Sequence, residues 1–238
     1  MFEASVEAGV LRLARRDTAW LSTGWNGGFE RADAAYNVSV PEGWDRTDLG
    51  TYLAERRDRA GFEVAGPALF TGVELRHARG ARLDPAVAYA TAGVSNPAAL
   101  PQDPSGSPPR NAEIDGRVDE SDDLGTVNVV TGTTRALDDA GLANLLAVAV
   151  EAKTATLLAA TGFPGTTTDA VVAGCDPDGD PARFTGSATP VGAAARACVR
   201  EAVRASLASR YEHRDLPLSV ADAEYGIVTD RRAEVFSP

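Results

Sequence analysis

The segment that most constrains the fold is residues 137–161, with the sequence LDDAGLANLLAVAVEAKTATLLAAT. Its high content of alanine and leucine predicts a long helix. From Leu142 to Ala160 this helix is apolar on nearly every side, so other elements must cover most of its surface. The sequence therefore predicts a sizeable core, which a chain of 238 residues is long enough to form.

Strand-like runs elsewhere predict a sheet that packs on this helix. They occupy residues 3–13, 17–23 and 32–40 and the segments PALFTGVEL, AVAYATAGV, GTVNVVTGT and DAVVAGC. Two more helices are predicted, from Asp45 as N-cap to about Arg59, and from about Val191 to Arg210. This pattern predicts one α/β domain over residues 1–238, with a mixed sheet packed against helices; an α+β arrangement is the alternative.

Residues 97–123 are rich in proline, serine and aspartate and are predicted to form a mobile acidic surface loop. The net charge of −11 argues against a protein that binds the phosphate backbone of nucleic acids, because such proteins need a basic surface. We expect no membrane partner, since no apolar run approaches the roughly 20 residues of a membrane-spanning helix.

The N-terminal residues lack a basic patch followed by an apolar core, and we therefore expect a cytoplasmic protein. Lys153 is the only lysine, and every other cationic side chain apart from histidine is arginine. An acidic, lysine-poor composition of this kind resembles that of proteins from extreme halophiles. The sequence does not predict an oligomeric state.

Residues of the types that hold metals or form disulfides are few. Cys175 and Cys198 lie in apolar surroundings without a C-x-x-C spacing, which predicts two buried thiols. His77 and His213 are isolated and lack the spacing of a zinc site. The sequence predicts neither a metal nor a cofactor.

The turn GTTTDA, residues 165–170, lies between the long helix and a valine-rich strand. Thr166, Thr167, Thr168 and Asp169 therefore lie at a strand end, where functional residues often collect. The threonine hydroxyls could bind substrate or supply a nucleophile, and Asp169 could be a general base or orient the attacking group. The alternative is a turn whose side chains cap their own backbone. If Asp169 acts in the chemistry, Asp169→Asn is expected to lower activity about a hundredfold with little change in stability.

Glu151 and Lys153 are the charged residues within the apolar part of the helix. Because residues two apart point to nearly opposite sides of a helix, they are not expected to pair with each other. We expect Glu151 to be at least half buried and close to Asp169, since a carboxylate held among apolar neighbours is suited to general acid-base chemistry. The alternatives are a structural ion pair with an arginine or a helix face open to solvent.

Amide and hydroxyl side chains recur at or near strand ends. Asn37 and Asn128 lie inside valine-rich runs, where an asparagine needs a hydrogen-bond partner. Amides can bind other amides or polarise a carbonyl oxygen, and each could instead be a turn residue or a satisfied structural amide. The candidates for substrate binding are Asn26, Gly27, Gly28, Asn37, Ser95, Asn96, Asn128, Thr166 and Thr167.

Six motifs, taken in order, resemble the adenosylcobinamide amidohydrolases of corrinoid salvage: LSTGWNGG, ATAGVSNPA, GTVNVVTGTT, EAKTATL, TGFPGTTTDAVVAG and TGSATPVG. The resemblance spans about residues 10–210. It implies hydrolysis of the amide that joins the aminopropanol arm to the corrin ring, giving adenosylcobyric acid and 1-amino-2-propanol. A non-catalytic corrinoid-binding protein and an amidohydrolase with another substrate are the alternatives.

For that reaction the sequence favours attack by water, with Asp169 or Glu151 as the base. Lys153 or Asn128 would stabilise the oxyanion. The loop from Asn26 to Gly28 would close on the corrinoid. Attack by a threonine or serine through an acyl-enzyme is the alternative, which the absence of a histidine partner weakens.

Overall fold

The computed structural model describes residues 2–41, 44, 46–104, 125–223 and 225–238. Its strands are β1 (Glu3–Glu7), β2 (Val10–Ser22), β3 (Gly28–Ser39), β4 (Ala68–Thr71), β5 (Arg79–Leu83), β6 (Ala86–Ala92), β7 (Ala98–Ala99), β8 (Val127–Thr133), β9 (Ala170–Cys175) and β10 (Ile227–Val228). Its helices are α1 (Leu49–Arg59), α2 (Asp139–Thr161) and α3 (Pro190–Arg210), with 3-10 turns at Leu75–His77 and Val220–Asp222.

Eight strands form one mixed sheet; seven of them follow the order β4-β3-β2-β9-β8-β6-β5, and the eighth, β1, pairs with β2. β1 pairs with the first half of β2, and β9 pairs with the second half. The pairs β3-β4 and β8-β9 are parallel, and the other pairs of this sheet are antiparallel. The predicted α/β class with a mixed sheet is confirmed.

Helices α2 and α3 pack together on one face of the sheet. Leu145 and Leu157 of α2 and Val199 of α3 are fully buried in one cluster with small residues of the strands such as Ala90. By length and composition α2 could cross a membrane, although the sequence was expected to contain no such run. The packing of α2 against α3 and β9 buries one side of it, including Leu142 and Leu145, whereas Val150 and Leu158 on the other side are exposed. The prediction that other elements cover most of this helix is therefore wrong.

The termini of α2 explain where this helix begins and ends. The side chain of Asp138 accepts a hydrogen bond from the Gly141 N–H at 2.7 Å, which caps the first turn. Gly162 follows the last turn in the left-handed conformation, with a φ of 79°, and its N–H bonds to the carbonyl of Leu158. The helix therefore delivers the chain directly into the threonine turn that precedes β9.

The opposite face of the central strands is covered by the first part of β2 together with β3 and β4, which fold over it. Leu13, Ala35 and Leu69, from β2, β3 and β4, share one buried cluster with Val130 and Val172 of the central strands. The register of β2 against β3 shifts between residues 14 and 18. This irregularity separates the part of β2 that pairs with β9 from the part that folds over the face. Helix α1 then packs on the outer side of β3.

Several boundaries differ from those predicted. Helix α1 begins at Leu49, after Asp48 at the N-cap position, and the predicted cap Asp45 lies outside the described residues. Residues 105–123 of the predicted surface loop also lie outside them. The sequence analysis missed the short strands β5, β7 and β10, because each is too short or too exposed to show an alternating pattern.

Both cysteines are free and buried, as predicted. Burial raises the pKa of the Cys175 and Cys198 thiols above the ordinary value. Both thiols are therefore protonated at neutral pH and pack as small apolar groups.

Candidate active site

The polar strand ends predicted from the sequence meet at one edge of the sheet. Because β8 and β9 run parallel while β2 and β6 run antiparallel to them, two strands start and two strands end at this edge. The loop after β6 reaches the threonine turn directly, since the Thr167 N–H donates to the Asn96 carbonyl at 3.2 Å. The loop after β2 reaches β9, with the Thr23 N–H donating to Val171 O at 3.0 Å.

Asp169 fixes the shape of the threonine turn. One carboxylate oxygen accepts hydrogen bonds from Val127 N, at 2.9 Å, and from the hydroxyl of Thr166. The other accepts from Thr166 N, at 3.1 Å, and from the ammonium of Lys153. Because four donors occupy the roughly four acceptor positions of a carboxylate, Asp169 has no free position for a proton taken from water. Its geometry is that of an orienting group.

Lys153 joins α2 to this turn. Its side chain is 7% exposed, and that of Asp169 is 10% exposed, so the ion pair is almost completely shielded from water. Lys153 is the only lysine of the chain, and its ammonium donates to Asp169. The role predicted for Lys153, stabilising an oxyanion, stays a prediction. The pair ties α2 to the starts of β8 and β9.

The prediction for Glu151 is wrong. Its side chain is 60% exposed and forms an ion pair with Arg196 of α3. Glu151 therefore lies on the solvent side of α2, whereas Lys153 faces the core. The apolar composition of α2 concealed this difference, because alanine and leucine also occupy its exposed positions. We remove Glu151 from the candidate catalytic residues.

Thr168 presents its hydroxyl beside that of Thr126, with the two oxygens 3.0 Å apart. The amide nitrogen of Asn96 lies 3.5 Å from the Thr168 oxygen and donates to the Thr167 hydroxyl at 2.7 Å. Asn96 is fully buried, and its side-chain oxygen has no partner among the described residues. Ser95, next to it, is half-buried. These residues form a polar cluster at the predicted strand ends.

Asn37 and Asn128 have a structural role and do not reach the site surface. Both are buried, at 1% and 0% exposure. The Asn128 amide donates to Asn37 Oδ1 at 3.0 Å and to Phe70 O at 2.8 Å, and its oxygen accepts from Ala170 N at 3.2 Å. Asn37 in turn donates to Thr91 at 2.9 Å. Asn128 therefore has no free donor for an oxyanion, and the predicted substrate-binding role of both residues is replaced by one of holding β3 and β4 over β8.

Asn26, Gly27 and Gly28 form the exposed turn between β2 and β3. Asn26 is in the left-handed region, with a φ of 51°, and a Cβ on Gly27 would collide with the carbonyl of Ser22. These residues shape the turn. The residues before them, Gly24 and Trp25, are the ones that line the neighbouring cavity.

The cavity at this edge has a volume of about 400 Å³ and combines an aromatic wall with a polar edge. Trp25, Trp44 and Phe70 form the wall; the ring centroids of Trp44 and Phe70 lie 5.5 Å apart and those of Trp25 and Phe70 lie 6.4 Å apart. Thr126 and Thr168 form the polar edge, with Asp169 behind them. Such a cavity suits a flat apolar group that carries an amide.

The comparison with known proteins identifies the family. The sequence profile of the adenosylcobinamide amidohydrolases matches residues 2–215. The chain belongs to the adenosylcobinamide amidohydrolase family. An adenosylcobinamide amidohydrolase of Halobacterium salinarum is 55% identical over 240 residues, which cover 100% of each chain. One of Methanosarcina mazei is 27% identical over 210 residues, or 84% of this chain and 95% of its own. No solved structure matches the chain.

In this adenosylcobinamide amidohydrolase family member, the sequence analysis missed the aromatic wall and Thr126. Trp25 and Trp44 are two of only three tryptophans in the chain, and this scarcity was the available signal. Their convergence depends on the folding of β3 and β4 over the sheet, which the sequence pattern did not show. Among the described residues, no group of three histidine, cysteine or acidic side chains is placed to hold a metal ion.

The C-terminal segment packs against the loop that carries the polar cluster, although it lies beyond residues 2–215, which the family profile matches. The N–H groups of residues 225, 227 and 229 donate to the carbonyls of residues 95, 97 and 99 at 3.1, 3.0 and 2.9 Å. On the other side of this segment, Ala98 N donates to Gly165 O at 2.9 Å. Residues 95–99 therefore lie between the tail and the threonine turn.

Proposed function

We propose that the protein hydrolyses adenosylcobinamide to adenosylcobyric acid and 1-amino-2-propanol. Membership of the family supports the reaction. The observation that supports the position of the active site is the hydroxyl of Thr168, which lies at the polar edge of a cavity with an aromatic wall. Water supplies the oxygen of the new carboxyl group. The carbon–oxygen bond forms and the amide carbon–nitrogen bond breaks. One proton of the water passes to the nitrogen, which leaves as the amine, and the remaining OH completes the carboxyl group.

The aromatic wall binds the apolar part of the substrate. Trp25, Trp44 and Phe70 offer large flat surfaces, which pack well against the rings of a corrinoid. The amide to be cleaved then lies toward the opposite, polar edge. In this arrangement the wall fixes the substrate, and the threonines act on its carbonyl group.

Thr168 donates a hydrogen bond to the carbonyl oxygen of the amide, and Thr126, 3.0 Å away, orients that hydroxyl. A donor aimed at the oxyanion is worth about 100- to 1,000-fold in rate. Asp169 serves as a positioning residue, because its carboxylate holds the turn and Lys153 rather than a water molecule. This assignment replaces Asp169 as the base and Asn128 as the oxyanion donor.

The test is incubation with adenosylcobinamide, followed by chromatography for adenosylcobyric acid and 1-amino-2-propanol. We expect the parent protein to form both products, and Thr168→Ala to form them about 100-fold more slowly. Thr51→Ala is the matched control, since Thr51 is an exposed threonine on α1 outside the cavity, and it should react at the parent rate. Corrinoid binding by the parent without any product would instead support a non-catalytic binding protein.

A second measurement separates the two roles of Thr168. A donor role predicts that the residual rate of Thr168→Ala is measurable and that the quenched parent protein carries no adduct. An acyl-enzyme predicts complete loss of turnover in Thr168→Ala and a corrinoid ester on the parent protein, detected by its intact mass. Detection of that ester would overturn direct attack by water.

We also propose that the protein works in a salt-rich cytoplasm. The net charge of −11 and the presence of a single lysine support this. So does the 55% identity to the protein of Halobacterium salinarum. Molar salt screens repulsion between acidic side chains, so a surface of this composition suits such a solvent.

A further inference from the structure

A second and larger cavity adjoins the aromatic one. Its volume is about 1010 Å³, and the two cavities share Val40 and Gly72 as lining residues. Helix α1, the segment 72–77 and the end of α3 form its walls. A corrinoid is larger than the drug-sized ligands that fill cavities of about 300–1,000 Å³, so the aromatic cavity alone is too small for the whole substrate.

The larger cavity is rich in arginine, although the protein as a whole is acidic. Five arginines and three glutamates line it, and two of those glutamates already have arginine partners: Glu55 pairs with Arg46, and Glu74 with Arg76. The guanidinium of Arg56 is used by backbone carbonyls, including that of Ser39 at 2.8 Å. Arg56 and Arg76 therefore already have partners, which leaves the other three arginines of the cavity as candidates to bind a ligand.

Three of the arginines are available for a ligand. The side chains of Arg59, Arg210 and Arg214 make no hydrogen bond or ion pair within the part of the chain that the structure describes. The Nε atom of Arg210 is buried without an acceptor among those residues. A guanidinium is a planar group of five N–H donors, and it binds oxygen acceptors. The cavity therefore presents donors that the described residues do not satisfy.

We propose that this cavity binds the amide-bearing periphery of the corrin ring, with Arg59 and Arg210 donating to its acetamide and propionamide carbonyl oxygens. This inference rests on the proposed function. The edge of the ring that bears the cleaved arm packs on the aromatic wall, so that its amide meets Thr168, and the rest of the ring extends past Val40 and Gly72 into the larger cavity. The ring is neutral at its amides, so these arginines give affinity and orientation and take no part in bond breaking.

The test compares Arg59→Met and Arg210→Met, singly and together, with Arg204→Met. Arg204 is exposed on the same helix as Arg210 and lines neither cavity, and it is the matched control. We expect each single variant to raise KM for adenosylcobinamide about 10-fold and the double variant about 100-fold, with kcat within about threefold. Arg204→Met should match the parent. Unchanged KM values in both single variants would overturn the proposal.

Binding of the product adenosylcobyric acid, followed by quenching of tryptophan fluorescence, gives a readout that does not require turnover. The proposal predicts that Kd rises in the arginine variants in parallel with KM. If the parent protein hydrolyses nothing, the proposed reaction fails, and the product Kd values still decide whether this cavity binds a corrinoid. Arg59 is exposed, so Arg59→Met decides the question if Arg210→Met does not fold.

Discussion

The buried pair of Asp169 and Lys153 gives a prediction whose magnitude follows from its surroundings. In Asp169→Asn the side chain keeps its size but loses its charge, and Lys153 is left as an unpaired ammonium that is 7% exposed. The asparagine NH2 group would also face N–H or O–H groups that now donate to the carboxylate, so it would find no acceptor there. Breaking a buried ion pair from one side costs about 3–5 kcal/mol.

That cost should be visible in thermal unfolding followed by circular dichroism. In a protein of this size 1 kcal/mol shifts Tm by about 2–4 °C, so Asp169→Asn should lower Tm by roughly 6–20 °C. Asp180→Asn is the control, because the Asp180 side chain is 87% exposed in its pair with Arg135. An exposed pair of this kind contributes about 0–1 kcal/mol. Activity of Asp169→Asn should also fall, since the threonine turn loses its anchor.

A second substitution tests whether the unpaired ammonium of Lys153 causes the loss of stability. Lys153→Met removes the ammonium, so adding it to Asp169→Asn should recover part of the lost stability. A melting temperature of Asp169→Asn within about 2 °C of the parent would refute the argument that the pair holds the site together. That result would restore the expectation drawn from sequence, in which Asp169 acts on rate and not on stability.

Three further predictions concern the rest of the molecule. The hydrogen bond from Arg15 holds the pKa of Asp176 below its ordinary 3.8. The ionised carboxylate therefore stabilises the folded state fully above pH 3.8, and this stabilisation is lost as the pH falls through the lower pKa of the folded state. Asp176→Asn should therefore be less stable than the parent near pH 7, and the two urea midpoints should converge in acid; parallel curves would contradict the assignment. A Cβ on Gly226 would lie 2.8 Å from Pro97 O, so Gly226→Val should displace the C-terminal segment. We expect kcat to fall several-fold with little change in Tm. An unchanged kcat would show that this segment does not support the site. Raising KCl from about 0.1 M to about 2 M should raise Tm, because salt screens the repulsion within a chain of net charge −11, and a Tm that falls would count against adaptation to salt.

Local sequence determined most elements of the fold and which polar residues lie at strand ends. The helix α2 was predicted closely because its composition and its flanking cap residues act within a few positions of the chain. The sequence also placed the threonine turn and the loop at Asn96 at strand ends, and the structure brings them together because β6, β8 and β9 are neighbours in the sheet. Lys153 was recognisable as the only lysine.

Only the tertiary structure decided which of these side chains are available for chemistry. Helix α2 is apolar all round, so its pattern could not show that Glu151 faces solvent while Lys153 faces Asp169. Asn37 and Asn128 are 91 positions apart, and they bind each other because β3 folds over β8. The same folding brings Trp25 and Phe70 together at the site. Contacts of this range depend on the bend of the sheet, which is set by packing on both of its faces and not by any local pattern.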